Sequence, residues 1–132
     1  MFQVNAKTDH GLLIMLELAQ NYGSIQPLSA LALNLKVSSS YLSQIAKSLQ
    51  LAGLIKSKEG VGGGYFLSRR PSSISILEVL ESLSGEIKIR CGHTKNKNCP
   101  HLKSCQLKSM WPIVLNDIKK SLAKRSLASL LK

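Results

Sequence analysis

The sequence is poor in acids and cysteine and has no long apolar run, and each shortage narrows what the protein can be. Only 7 Asp and Glu stand against 18 Lys and Arg, which leaves a formal net charge of +11. That balance points to a polyanionic partner, nucleic acid before any other. No run approaches the ~18 uninterrupted apolar residues of a membrane span. The opening MFQVNAKTDHG lacks the basic stretch and apolar run of a secretory signal. A reducing cytoplasm is therefore the expected compartment, with no membrane partner. Three cysteines cannot pair fully within one chain, so a disulfide framework is the weakest reading of them. With three histidines, no nucleophile–base arrangement and no cofactor loop, an enzyme is not expected. Internal repeats and low-complexity tracts are absent as well.

What is present suits one compact domain. The chain has 132 residues, 44% of them hydrophobic, enough for a single core. Charge divides it unevenly. Residues 1–85 carry 7 basic and 5 acidic side chains, a net of +2, whereas residues 86–132 carry 11 and 2, a net of +9. The basic surplus either helps hold an anionic group near the cysteines or is a solvated face; the solvated face is the simpler account.

Hydrophobic periodicity predicts a first helix from about Lys7 to Tyr22, with Leu12, Met15, Leu16 and Ala19 at helical spacing and Gly23 as its stop. Asp9 lies in its first turn, where a carboxylate suits the helix dipole. A short helix over Ser29–Leu35 follows Pro27. VSSSYLSQIAKSLQLAG then reads as the second helix of a helix-turn-helix. Ser38 is its N-cap, Leu42, Ile45, Ala46 and Leu49 form one face, and Gly53 ends it. Ser39, Ser40, Ser43, Gln44 and Lys47 form the other face. These short hydrogen-bonding side chains suit the major groove, where Gln pairs with adenine and Ser with several base edges. A solvated surface helix has the same pattern, so the helix alone does not decide.

LIKSKEGVGGGYFLSRR alternates apolar and polar residues around a glycine-rich break, the pattern of a β-hairpin. A hairpin directly after a candidate recognition helix predicts a winged helix-turn-helix. Lys56, Lys58, Arg69 and Arg70 flank the wing and are candidates for phosphate contact. The glycines lead into a strand and not a helix, which excludes a phosphate-cradling enzyme loop. Ser75 and Glu78 then form a capping box for a helix closed by Gly85. A long last helix is expected to start near Pro112, placed in its first turn. Trp111, Leu115, Ile118 and Leu122 make a heptad-like stripe along it, suited to a partner helix or to its own domain.

All three cysteines fall in CGHTKNKNCPHLKSC, residues 91–105. Cys91, Cys99 and Cys105 show no tight Cys-x-x-Cys knuckle. Three spaced thiolates suit an iron–sulfur cluster with a fourth ligand from elsewhere. With His93 or His101 they also suit a three-cysteine, one-histidine zinc site. Lys103 and Lys108 nearby favour thiolates, so a redox-active thiol set stands third.

SSYLSQIAKSLQLAGLI, EGVGGGYFLSRRP, ISILEVLESLSG, then three cysteines and Trp111 in that order resemble the Rrf-type winged-helix transcription regulators, among them IscR-, NsrR- and RirA-like iron–sulfur regulators. The resemblance covers nearly the whole chain. It implies a mainly α fold with a small β-wing and a long C-terminal dimerisation helix. Residues 1–85 would form the DNA-binding region, and residues 86–132 the cysteine loop and dimerisation helix. It implies a cytoplasmic homodimer that binds imperfect palindromes in double-stranded DNA, usually as a repressor, with recognition helices ~34–36 Å apart.

The same resemblance makes Cys91, Cys99 and Cys105 cluster ligands. The first two are usually separated by five residues, and here by seven. One branch places a histidine ligand three residues after the third cysteine, where this chain has Lys108. The nitric-oxide branch uses an aspartate near the start of the first helix, given by the other subunit, and Asp9 matches it. Asp9 is thus the expected fourth ligand, with His10, His93 and His101 behind it and 4Fe-4S favoured over 2Fe-2S. The signal expected is nitric oxide, redox state or iron supply. Where relatives commonly carry Arg-Gly at the wing, this chain has Glu59-Gly60, and a carboxylate there argues against insertion into the minor groove. The alternatives are the same fold sensing through zinc or bare thiols, and a metal-binding interaction module without specific DNA binding.

Overall fold

The computed structural model describes residues 5–88 and 106–131. The expected ligands Cys91, Cys99, Cys105, His93 and His101 lie outside the described residues. Helix α1 (Ala6–Gln20) starts where Asn5 and Thr8 close a reciprocal capping box, with Asp9 in the first turn. It ends at Gln20 with Asn21 as its C-cap, slightly short of the expected Tyr22. Helix α2 (Leu28–Leu35) ends in a left-handed Lys36, and α3 (Ser39–Leu51) starts from the Ser38 cap two residues later. Strands β1 (Ile55–Lys58) and β2 (Gly64–Leu67) pair antiparallel in the register Ile55 with Leu67 and Lys58 with Gly64. A 3-10 turn at Pro71–Ser73 leads to α4 (Ile76–Ser84). The chain resumes with α5 (Leu107–Lys124) and closes with a 3-10 turn at Leu127–Leu130.

One core joins these elements. Ile14, Met15 and Leu18 of α1 meet Leu42, Ile45 and Leu49 of α3, with Val79 and Leu80 of α4 alongside. Burial of each such side chain contributes ~1.5–3 kcal/mol. Helices α1 and α4 approach closely at Gly11, where any side chain would run into Leu83. The tail completes the core: Leu127 is fully buried in it. The Leu127 N–H donates to the Ile74 carbonyl (2.9 Å), and the Ile76 N–H to the Arg125 carbonyl (2.9 Å). The sequence pattern of α5 hides this return, because it comes after the helix. Among the described residues, no helix is long and apolar enough to cross a membrane.

One expectation for the last helix changes. It begins at Leu107, so Pro112 lies inside it and not in its first turn. The missing proline N–H leaves one helical hydrogen bond unmade, and the ring crowds the carbonyl four residues back. The apolar residues of the helix fall on more than one side. Leu122 packs against the core of its own chain, while Leu107, Met110, Ile113 and Ile118 remain exposed.

The cap of α4 is a small electrostatic unit. The Glu78 carboxylate accepts from the Ser75 backbone N–H (2.8 Å) and from the Arg69 guanidinium (2.9 Å). Partial burial pushes Glu78 upward, but the Ser75 N–H and Arg69 outweigh it and hold the carboxyl below its ordinary range. A lowered folded value means the stabilisation is complete above the unfolded value and vanishes as pH falls through the folded one. Glu78→Gln is therefore expected to lower Tm at neutral pH and to flatten the acid limb of Tm against pH. Parallel curves for the two proteins would reject the assignment.

Candidate nucleic-acid interface

The α2–α3 turn sets the recognition helix. Lys36 is the one described non-glycine residue with positive φ (57°), and it turns the chain sharply before the cap. Ser38 Oγ then accepts from the Tyr41 N–H (3.2 Å). Leu42, Ile45, Ala46 and Leu49 are buried, which leaves Ser39, Ser40, Ser43, Gln44 and Lys47 exposed along one face. Five of the residues the sequence assigned to DNA thus lie together on one side of α3, and Lys56 and Lys58 lie on the wing.

The wing is tied to that helix by a bond invisible in sequence: Gln50 Nε2 donates to Ser57 Oγ (3.1 Å). Ser57 lies between Lys56 and Lys58, both exposed, so the bond fixes β1 beside the recognition helix with its two lysines outward. On the other side, Gln26 and Tyr65 exchange backbone hydrogen bonds of 2.9 and 2.8 Å, which adds a third pairing to the hairpin. The glycine run serves this junction. A side chain at Gly64 would collide with the Gln26 backbone, and one at Gly63 with the Lys58 carbonyl. Arg69, a phosphate candidate from sequence, is instead engaged by Glu78 and by the Ser73 carbonyl (3.1 Å). Arg70 is exposed, as are Glu59 and Val61 at the wing tip.

Of the expected metal ligands, only Asp9 and His10 are described. Asp9 is exposed, and its carboxylate makes no hydrogen bond or ion pair among the described residues. His10 is part-buried: its Nδ1 lies 2.9 Å from the Tyr41 hydroxyl, and either partner donates according to the imidazole tautomer. The dimerisation candidates Trp111, Leu115 and Leu122 are half-buried and Ile118 is exposed.

The family model described as "Rrf2: Iron-dependent Transcriptional regulator" matches residues 4–132. The HTH-type transcriptional regulator CymR of Bacillus subtilis is 36% identical over 86 residues, 64% of this chain and 62% of the relative. The aligned segment thus spans less than two thirds of that relative. Among solved structures, CymR (YrzC), the global cysteine regulator of B. subtilis, superposes with a TM-score of 0.78 at 28% identity, covering 98% of this chain and 96% of that one. IscR of T. potens gives 0.74 at 30% identity, covering 98% and 85%.

Proposed function

The chain belongs to the Rrf2 family of transcriptional regulators, and from that membership we propose a cytoplasmic, homodimeric repressor whose operator affinity is controlled by an iron–sulfur cluster. Regulation and DNA binding, not catalysis, are the family's business. The observation that carries the DNA reading is the undivided polar face of α3, with Lys56 and Lys58 held beside it by the Gln50–Ser57 bond. Gln44, Ser40 and Ser43 read base edges in the major groove, Ser39 and Lys47 frame them, and the two wing lysines hold phosphates. The exposed Leu107, Met110, Ile113 and Ile118 of α5 support pairing with a second copy, with the half-buried Trp111 and Leu115 beside Ile118 at the seam. Two recognition helices then meet the half-sites of an imperfect palindrome.

The donor set fits a cluster. Cys91, Cys99 and Cys105 supply the soft thiolates that iron–sulfur centres take. Asp9 adds an exposed carboxylate with no competing partner among the described residues, given across the dimer. When bound, the cluster supplies an iron centre responsive to nitric oxide, redox state or iron supply, with 4Fe-4S favoured. The likeness to the global cysteine regulator CymR supports one second reading, the same DNA-binding fold with the bare thiols, or zinc held by them, as sensor.

Spectra decide between these. Protein purified without oxygen is expected to be brown, with comparable iron and sulfide; one zinc per chain, or neither metal after reconstitution, would move the sensor to zinc or thiols. For the DNA side, the Lys56→Ala, Lys58→Ala pair is expected to weaken binding to operator and unrelated duplexes alike. With two lysines in each protomer of the dimer, the slope of log K against log salt should become shallower by about 4. An unchanged slope would place both lysines off the backbone.

A further inference from the structure

The His10–Tyr41 contact stands apart from the rest of the polar chemistry. Among the described residues it is the one side-chain hydrogen bond that joins α1 to α3. The two rings also meet edge to face, with centroids 5.3 Å apart and planes at 87°. Tyr41 occupies the first turn of the recognition helix, between Ser40 and the Ser43–Gln44 pair, and its ring packs against the core. Its backbone N–H is already fixed by the Ser38 cap. The residue is therefore held at both ends, by the cap at its backbone and by α1 at its hydroxyl.

We propose that His10 is a positioning residue for DNA reading: through the Tyr41 hydroxyl it sets the pose of the recognition helix against α1. This rests on the DNA-reading half of the proposed function, and not on the cluster. Base-edge hydrogen bonds weaken steeply with distance and angle, so a small roll of α3 removes them. Attraction to phosphates tolerates the same roll, because it depends on charge and not on register. Loss of the strut is then a loss of specificity more than of binding.

The test is a double-mutant cycle on DNA affinity with wild type, Tyr41→Phe, His10→Ala and the double variant. The probes are the duplex enriched by the wild type from a randomised library and a duplex of unrelated sequence, each with cluster-loaded and cluster-free protein. Tyr41→Phe keeps the ring and its packing, so it isolates the hydroxyl. Each single variant is expected to lose about tenfold in specific affinity, with affinity for the unrelated duplex unchanged. The double variant should lose no more than either single, and His10→Asn, which returns a polar nitrogen near Nδ1, should recover part of the loss. Multiplicative losses in the double variant, equal losses on both duplexes, or no loss in Tyr41→Phe would overturn the proposal. If the wild type binds equally with and without cluster while the cycle still shows coupling, the cluster reading fails and the strut stands. A cluster-dependent wild type with no coupling between His10 and Tyr41 would sink the strut alone.

Discussion

Gly64→Ala is expected to destabilise the protein by ~3 kcal/mol and to free the wing from the body of the domain. The Cβ would be driven into the Gln26 carbonyl and against Pro27, and both obstacles are backbone, so no rotamer change relieves them. Overpacking alone costs ~1–3 kcal/mol. The same displacement breaks the exchanged Gln26–Tyr65 hydrogen bonds and adds their loss. Gly62→Ala is the control. It meets nothing within 4 Å, and only its positive φ of 77° is unfavourable, so ~1 kcal/mol is expected there. Urea unfolding of both variants measures the difference, and equal midpoints would mean the junction with Gln26 is not what the glycine run protects. Because Lys56 and Lys58 ride on the paired strand, Gly64→Ala should also weaken DNA binding in the fraction that remains folded.

Leu127→Ala should have an effect of similar size by the opposite mechanism, a cavity. The side chain is fully buried among residues of the first 85 positions, and large-to-small changes at such sites cost ~2–5 kcal/mol. Leu127 also anchors the strand-like return of the tail, through its N–H to the Ile74 carbonyl. Losing it loosens the attachment of α5 to the DNA-reading elements. The expected result is a lower unfolding midpoint together with faster hydrogen exchange along α5 than along α3. Uniform acceleration in both helices would show that the tail is no separate anchor. Leu130→Ala, at a site 44% exposed one turn further along the chain, should change stability by less than ~1 kcal/mol.

Much of the architecture was legible because the signals are local. Ser38 and Ser75 announce helix starts by capping chemistry, and each accepts the bond expected of it. The stripe of Leu42, Ile45, Ala46 and Leu49 requires only helical periodicity, and its polar complement follows from the same period. Pro112 misled because its favoured first-turn place is a statistical preference and not a rule. Arg69 looked like a free phosphate contact since nothing local marks Glu78, nine residues away, as its partner.

By itself, then, the sequence determined the helix-turn-helix, the hairpin wing and the residues turned outward on the recognition helix, since caps, turns and periodicity act within a few residues. Only the tertiary structure decided that Gln50 holds the wing through Ser57, that Gly64 lies against Gln26, that His10 meets Tyr41 across 31 positions, and that Leu127 closes a core begun by α1. Each of those contacts depends on where the packed core places distant backbone, and a hydrogen bond or steric contact a few ångströms long has no signature in the residues on either side of it.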